Sequence, residues 1–264
     1  MRQYEVFHDI IDNHTLYQYK LLMKYFYLEL NALIEISNRL KKLNKNKAFF
    51  YTSLWALMEQ YVNINSNNFG MIKHFIQNLE DSGIVIDYRD FFEILYQAFG
   101  INIDIAGKGL FKDINNAIKE SKSFENLGKN MINNIMKLKT IRDSFNSFNI
   151  LLEMIDKKIV NDNFSDNFKQ SFVFNLLLNY IKKETNIHSS ILEQKYNGTL
   201  NRYINAASKL YFNKQEIARN DHFDLEHFKY LQNDITHMVS DDKIMQLLDS
   251  KKVYSVSEFM EYCK

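Results

Sequence analysis

The sequence predicts an all-α protein, a multi-helix bundle of about nine to eleven helices with several long helices and no β-sheet. Proline is absent from the 264 residues and glycine occurs only seven times, although proline usually makes up about 5 % of a chain. Both residues disfavour helix interiors. Apolar residues also recur at three- and four-residue spacing over long stretches, which is the pattern of an amphipathic helix.

The N-terminal part predicts two strong helices. We expect a long helix over residues 15–43 and a second over residues 48–65, which is apolar nearly all round and therefore central. Gly83 is expected to end a helix that begins near Met71, as a left-handed residue just beyond the last turn. Residues 84–86 are β-branched but have no evident partner strand, so we interpret them as an extended connector.

The least helical stretch, residues 101–109, marks a candidate boundary. It divides the chain into an N-terminal helical subdomain of residues 1–100 and a C-terminal one of residues 110–264, although one continuous domain is equally compatible with the sequence. In the second part, residues 125–160 predict the longest helix. Residues 224–239 predict another, and its polar positions carry the functional hypothesis.

Composition excludes several classes of function. The chain has 33 basic and 32 acidic residues, a net charge of +1, which argues against a chain-wide footprint for nucleic acid or an anionic membrane. Cys263 is the only cysteine, so no internal disulfide or cysteine-based zinc site is expected. No apolar run is long enough to cross a membrane, and the N-terminal stretch does not resemble a signal peptide. We therefore expect a cytoplasmic protein without membrane partners.

The common catalytic motifs are missing. We find no Gly-rich phosphate loop, no nucleophile elbow and no HExxH, and predict no cofactor. His227 and Asp224 have a spacing that metal ligands use, but Asp224 is better explained as a helix N-cap, and no metal is predicted. Glu59, four residues after Trp55 in an apolar segment, must find a partner or have a raised pKa. It is therefore a candidate site residue.

The most suggestive polar cluster lies in the predicted helix of residues 224–239. On a helix, Asn233 and His237 are four positions apart and share a face, and Gln232 lies next to Asn233. Imidazole is the side chain best suited to proton transfer near neutral pH. This face therefore combines two amides with a potential acid–base group.

Residues 231–238, LQNDITHM, resemble the R-N-x-x-x-H signature of HEPN domains. These are all-α domains, many of them metal-independent RNases of toxin–antitoxin, abortive-infection and CRISPR-associated systems. Asn233 and His237 fall on the Asn and His of the pattern, but Gln232 stands where the family has Arg. The resemblance implies an RNA substrate, a homodimer with a shared cleft, and acid–base cleavage by the histidine. Glu59 would match the acid of an early HEPN helix.

The substitution at Gln232 affects what the resemblance implies, because a neutral amide cannot replace an arginine at a phosphate. Arg219, in the preceding segment, is the candidate replacement cation. We therefore expect a HEPN-like protein of a prokaryotic defence or toxin–antitoxin system, either a metal-independent endoribonuclease or a catalytically degenerate relative. The alternative is a non-enzymatic helical module that binds a protein, such as an adaptor, an antitoxin-like partner or a phage-encoded inhibitor. The 21 Phe and 16 Tyr residues favour that alternative, since aromatic residues are enriched at interfaces.

Overall fold

The computed structural model contains a five-stranded parallel β-sheet, so the prediction of an all-α bundle without a sheet is wrong. The structure describes residues 24–45, 47–89, 91–102, 107–153, 164–213, 219–231, 236–249 and 251–264. The strands are β1 (Lys24–Leu28), β2 (Ala48–Ser53), β3 (Val85–Asp87), β4 (Thr236–Val239) and β5 (Val253–Tyr254). Their order across the sheet is β3-β2-β1-β4-β5, and every neighbouring pair is parallel.

Helices occupy most of the rest of the described chain. They are α1 (Leu30–Ile36), α2 (Leu54–Tyr61), α3 (Phe69–Ser82), α4 (Phe91–Ala98), α5 (Gly107–Glu120), α6 (Gly128–Glu153), α7 (Asp166–Thr185), α8 (Ser189–Lys195), α9 (Asn201–Asn213), α10 (Arg219–Glu226), α11 (Lys243–Leu248) and α12 (Val256–Tyr262). Short 3₁₀ segments cover Ser37–Lys42, Phe124–Leu127 and His227–Tyr230. Gly83 ends α3 with φ of 64°, which confirms its predicted role as a left-handed terminus.

The strands escaped the sequence prediction because they lack a period of two. Strands of a parallel sheet are covered on both faces, so they appear as short continuous apolar runs that periodicity cannot separate from buried helix. In the segment predicted as one helix over residues 48–65, AFFYTS is β2 and LWALMEQY is α2. Ser53 is both the last residue of β2 and the N-cap of α2, so no polar linker marks the change.

Two other predicted helices are divided in the same way. Within residues 15–43, the described part begins with β1 and continues as α1 and a 3₁₀ turn, while residues 15–23 lie outside the described residues. Within residues 224–239, α10 ends at Glu226, a 3₁₀ turn follows, and β4 begins at Thr236. The predicted connector at residues 84–86 falls largely on β3.

The central strand β1 is buried on both faces. On one face, the ring of Phe26 packs edge-on against Phe259 of α12, with centroids 5.0 Å apart. On the other face, the ring of Tyr27 stacks on Tyr230, with centroids 6.0 Å apart and planes 5° from parallel. The sheet is therefore a layer between α12 and the His227–Tyr230 turn, as expected for an α/β fold.

The sheet combines both parts of the chain on either side of residues 101–109. β1 pairs with β2 on one edge and with β4 on the other, placing Phe26 opposite His237 and Leu28 opposite Val239. Strands from the two predicted subdomains thus form one hydrogen-bonded sheet. Among the described helices, none combines the length and hydropathy that crossing a lipid bilayer requires.

Candidate functional site

The carboxyl ends of the parallel strands bring polar residues to one edge of the sheet. The chain runs outward from β1 to β2 and β3 in one direction, and places β4 and β5 on the other side. The order therefore reverses between β1 and β4, and in open α/β sheets ligands bind outside the carboxyl ends of the strands at such a switch point. Six residues gather there and are called the switch-point cluster: Tyr27, Glu29, Ser53, Glu59, Asp224 and His227.

His227 lies at the centre of this cluster and is 1 % exposed. Its Nδ1 is 2.6 Å from the hydroxyl of Tyr27, and its Nε2 is 3.6 Å from a carboxylate oxygen of Glu59. Burial lowers the pKa of His227, but the carboxylates of Glu59, Glu29 and Asp224 outweigh burial and raise the pKa above its ordinary value. The negative surroundings thus favour the imidazolium form.

A chain of hydrogen bonds leads away from the imidazole. The hydroxyl of Tyr27 is also 2.7 Å from Oγ of Ser53, and that Oγ accepts a hydrogen bond of 3.2 Å from the backbone N–H of Ala56. When His227 is charged, its Nδ1–H donates to Tyr27, which donates to Ser53. When His227 is neutral with its proton on Nε2, the direction of both hydrogen bonds can reverse, so that Ser53 donates to Tyr27 and Tyr27 donates to Nδ1. This hydrogen-bond network is therefore compatible with either protonation state of His227.

Local sequence places Glu59 beside the imidazole. The indole Nε1–H of Trp55 donates to the carbonyl oxygen of Phe223 over 3.1 Å, and the two rings stack with centroids 6.0 Å apart. These contacts fix α2 against α10. Glu59 lies four residues after Trp55 and therefore shares its helical face, which directs the carboxylate toward His227.

Glu29 directly follows β1 and caps α1. Its Oε1 accepts a hydrogen bond of 2.7 Å from the backbone N–H of Asn31, while its Oε2 is buried without a hydrogen-bond partner among the described residues. Burial raises the pKa of Glu29, against the opposing effects of His227, the Asn31 N–H and the Ser240 hydroxyl. Glu29 is only 3 % exposed, and its charged form therefore depends on His227, the Asn31 N–H and the Ser240 hydroxyl.

Asp224 adds a further carboxylate, half-buried at the cluster. Burial raises its pKa to about 7, His227 opposes the shift, and the negative charges of Asp242, Glu59 and Glu29 add to it. Near neutral pH this carboxyl group therefore exists in both protonation states. Perturbed groups of this kind concentrate at functional sites, because burial and like charges are costly elsewhere.

The cluster can accept hydrogen bonds, attract positive charge and exchange protons near neutral pH. Its carboxylates are partly committed, since Glu29 caps α1 and Asp242 caps α11. In the part of the chain that the structure describes, no three His, Cys, Asp or Glu side chains are grouped so that they could share a metal ion.

The residues predicted from sequence do not form a single site in the described part of the structure. Glu59 belongs to the switch-point cluster, whereas His237 lies on β4 opposite Phe26, whose ring packs on the other face of β1. Gln232 and Asn233 lie outside the described residues. Arg219 begins α10, but its side chain is not among those described.

His237 has different surroundings from His227. It is half-buried, its ring packs edge-on against Tyr254 with centroids 5.0 Å apart, and its Nδ1 has no hydrogen-bond partner among the described residues. Burial lowers the pKa of His237, and the positive charges of Lys24, Lys252 and Arg202 lower it further. The surroundings of this second histidine are therefore more positive than those of His227, although the carboxylate of Asp249 opposes the shift.

Sequence reasoning missed three members of the switch-point cluster: Tyr27, Glu29 and Ser53. Glu29 follows the apolar run KYFYL and Ser53 ends the run AFFYTS. Polar residues directly after two buried runs would have indicated a common edge if the runs had been recognised as strands. Asp224 and His227 were considered only as a possible pair of metal ligands, and Asp224 was then explained as a helix cap.

Comparison with protein-family models, with curated proteins and with solved structures found no match to the chain.

Proposed function

We propose that this chain binds a small organic ligand at the carboxyl edge of its sheet, and that His227 exchanges a proton with it. The observation that carries the proposal is the buried imidazole of His227, held between the hydroxyl of Tyr27 and the carboxylate of Glu59 at the switch point. Imidazole transfers protons near neutral pH. The topological position is the one at which α/β sheets bind ligands.

The stability that the fold loses by burying these carboxyl groups supports a functional role for the switch-point cluster. Buried carboxylates that lack full pairing lower stability, yet Glu29 keeps one buried oxygen without a partner. Asp224 has its pKa raised to about 7 beside it. Apolar side chains of similar volume would give a more stable edge, so the carboxylates are more easily explained by a ligand that offsets their cost.

The turn after β1 limits the class of ligand. Dinucleotide-binding folds place a Gly-rich turn here, with a pyrophosphate at the N-terminus of the following helix. In this chain Glu29 alone joins β1 to α1, no glycine is present there, and the carboxylate of Glu29 occupies the N-terminus of α1. An anionic phosphate would meet like charge at this position, so the ligand is not anchored by one.

A thermal-shift screen of nucleosides, sugars and amines tests the proposal. The wild-type chain should be stabilised by at least one compound, and Glu29→Gln should remove that stabilisation. Glu35→Gln, an exposed position on α1, is the matched control and should respond as wild type does. Titration calorimetry of the hit in two buffers of different ionisation enthalpy should show proton exchange, which His227→Gln removes. A screen without a Glu29-dependent hit would refute the proposal.

Metal-independent RNA cleavage at His237 remains our second candidate function. It rests on the HEPN resemblance, which implies a dimer, and on one observation. The cations Lys24, Lys252 and Arg202 influence His237 and could supply the positive charge that Gln232 lacks. The alternative of a non-enzymatic module that binds a protein stays a prediction.

An RNA cleavage assay decides the second candidate. The purified chain should cleave RNA in the presence of EDTA, and His237→Ala should abolish cleavage. His74→Ala, at an exposed histidine of α3, should leave it intact. Absence of cleavage by the wild-type chain, or equal cleavage by both variants, would remove RNA cleavage at His237 from consideration.

A further inference from the structure

We propose that a cleft between the 3₁₀ segment Ser37–Lys42 and the end of α12 binds a small organic phosphate. The cleft has a volume of about 410 Å³. Its lining combines three cations with three apolar side chains: Arg39, Lys42, Lys264, Leu43, Met260 and Cys263. α12 packs on the face of β1 opposite to the His227–Tyr230 turn, so this site is separate from the switch-point cluster and independent of its proposed ligand.

The geometry of the 3₁₀ segment directs two of the cations to the cleft. Side chains three residues apart in a 3₁₀-helix lie on one face, and each residue rises about 2 Å along the axis. Ser37 and Leu40 thus share a face, which is buried. Arg39 and Lys42 share another face and line the cleft. Their backbone positions are about 6 Å apart along the axis, which is close enough for both side chains to contact one ligand group.

The remaining face of the 3₁₀ segment is held by α3. The ammonium of Lys41 donates to a carboxylate oxygen of Asp81 over 2.7 Å, and the amide of Asn78 donates to Oδ1 of Asn38 over 2.8 Å. These contacts fix the backbone that carries the two 3₁₀ cations of the cleft. Among the described residues, by contrast, neither of those two side chains has an ion pair or a hydrogen bond.

The cleft has more positive charge than the neighbouring helix ends require. The last carbonyl groups of a helix carry about half an elementary negative charge, and two such ends meet here, those of the 3₁₀ segment and of α12. Lys264 is paired with the carboxylate of Glu261 and adds little. Arg39 and Lys42 still leave a surplus of about one positive charge, and no acidic residue is among the described residues that line the cleft. The cleft therefore favours an anion.

A phosphate group suits this pair of cations better than a carboxylate does. The guanidinium of Arg39 can bind either anion through two parallel N–H donors. That arrangement occupies both oxygens of a carboxylate, whereas a phosphate monoester has three acceptor oxygens. The third oxygen remains for the ammonium of Lys42, so a phosphate group can use both cations at once.

The apolar side of the cleft indicates an organic phosphate instead of the inorganic ion. Leu43 and Cys263 are buried, and together with Met260 they form a surface that a free phosphate ion would not use. Pockets for small molecules combine an apolar lining with a few polar groups, in volumes of about 300–1,000 Å³. The volume of about 410 Å³ lies near the lower end of this range, which fits a phosphate monoester with one ring system.

Titration calorimetry on the full chain, at about pH 7.5 where phosphate monoesters are mainly dianionic, tests this site. AMP or phenyl phosphate should bind, and more tightly than inorganic phosphate, adenosine or benzoate. Arg39→Gln and Lys42→Gln should each weaken binding of the ester at least about fivefold, because each removes a charge-assisted contact. Lys41→Gln is the matched control, since it removes the same charge from the face that contacts α3, and it should weaken binding less than about twofold. All three side chains are exposed, so the variants should melt as wild type does.

Four other outcomes would overturn the proposal. Equal weakening by Lys41→Gln and Lys42→Gln would mean that the anion responds only to the general charge of this surface. Benzoate or inorganic phosphate that binds as tightly as the esters would remove the assignment to an organic phosphate. Binding that Glu29→Gln abolishes and Arg39→Gln does not affect would place the ester at the switch-point cluster. Failure of both esters to bind at millimolar concentration would refute the site and leave the proposed function intact.

Discussion

The hydroxyl of Tyr27 lies 2.6 Å from Nδ1 of His227, which is 200 residues further along the chain. The same hydroxyl lies 2.7 Å from Oγ of Ser53. One phenol group therefore joins the central strand, the end of the neighbouring strand and the turn that carries the imidazole. Burial raises the pKa of Tyr27 well above its ordinary value, so the phenol stays protonated and can donate at any physiological pH.

Removal of this hydroxyl should destabilise the fold. Tyr27→Phe removes the hydrogen bonds of the phenol to Ser53 and to Nδ1 of His227 in a buried environment, which should lower the free energy of unfolding by about 1–3 kcal/mol. Denaturant titration followed by tryptophan fluorescence of Trp55 measures the change. Tyr25→Phe, on the same face of β1 but half-buried, is the control and should change stability by less than about 0.5 kcal/mol. Equal losses in the two variants would contradict a special role for the Tyr27 hydroxyl.

Ser53 has two structural roles, and its removal should affect both. Its Oγ accepts from the Ala56 N–H as the N-cap of α2 and contacts Tyr27. Ser53→Ala should therefore cost about 1–2 kcal/mol of unfolding free energy. Because Ser53 and Tyr27 share a hydrogen bond, the double variant with Tyr27→Phe should lose less than the sum of the single variants. Strict additivity in a double-mutant cycle would show that the hydroxyls are not coupled.

The buried ion pair of Glu226 and Lys229 should be sensitive to loss of one partner. Both side chains are at most 2 % exposed, so Lys229→Met leaves a buried carboxylate without its cation and should cost about 3–5 kcal/mol. Replacing both residues, as Glu226→Leu with Lys229→Met, should recover much of that loss. Thermal and chemical unfolding would measure each variant.

The chain contains its own control for this prediction. Glu261 and Lys264 form an ion pair of the same spacing with both side chains 72 % exposed. Lys264→Met should leave the free energy of unfolding nearly unchanged, because solvent and salt screen an exposed pair. A comparable loss in both lysine variants would mean that burial does not decide the value of the Glu226–Lys229 pair.

Asp224 should make stability decrease with rising pH. Folding raises its pKa from 3.8 to about 7, so the folded chain binds this proton more tightly than the unfolded chain does. The stability linked to that proton is lost between those two pH values as pH rises. Asp224→Asn cannot ionise, so its melting temperature relative to wild type should increase across this window and level off above it.

Melting curves at closely spaced pH values would measure the difference. Glu35→Gln is the control, and its melting temperature should follow that of wild type at every pH. A difference between Asp224→Asn and wild type that does not change between about pH 4 and pH 8 would contradict the raised pKa.

Sequence patterns predicted helices well where a helix has one apolar face. The helix that ends at Gly83 and the helix within residues 125–160 are both found, as α3 and α6. The sheet was missed because its strands are two to six residues long, and the three inner strands β2, β1 and β4 are largely buried on both faces. Such runs carry no alternation, and their pairing depends on contacts between distant segments that a local pattern does not contain.

The site was predicted less well than the helices for the same reason. Glu59 was identified because an acid in an apolar segment needs a partner, and the partner is His227. The other members of the cluster became neighbours only through the parallel pairing of β1 with β2 and β4. His237 was interpreted as part of a helix, where it shares a face with Asn233, whereas it lies in a strand.

The position of β1 has a consequence for synthesis of the chain. Its partner β4 begins about 150 residues after β3 ends. At a rate of about 5–20 residues per second, the ribosome therefore reaches β4 about 7–30 s after it has completed β3. During that interval one edge of the central strand has no partner, and unpaired apolar edges promote association between chains. Long-range parallel pairing also folds slowly. The nascent chain therefore depends on its intervening helices, or on chaperones, to shield β1 until β4 is made.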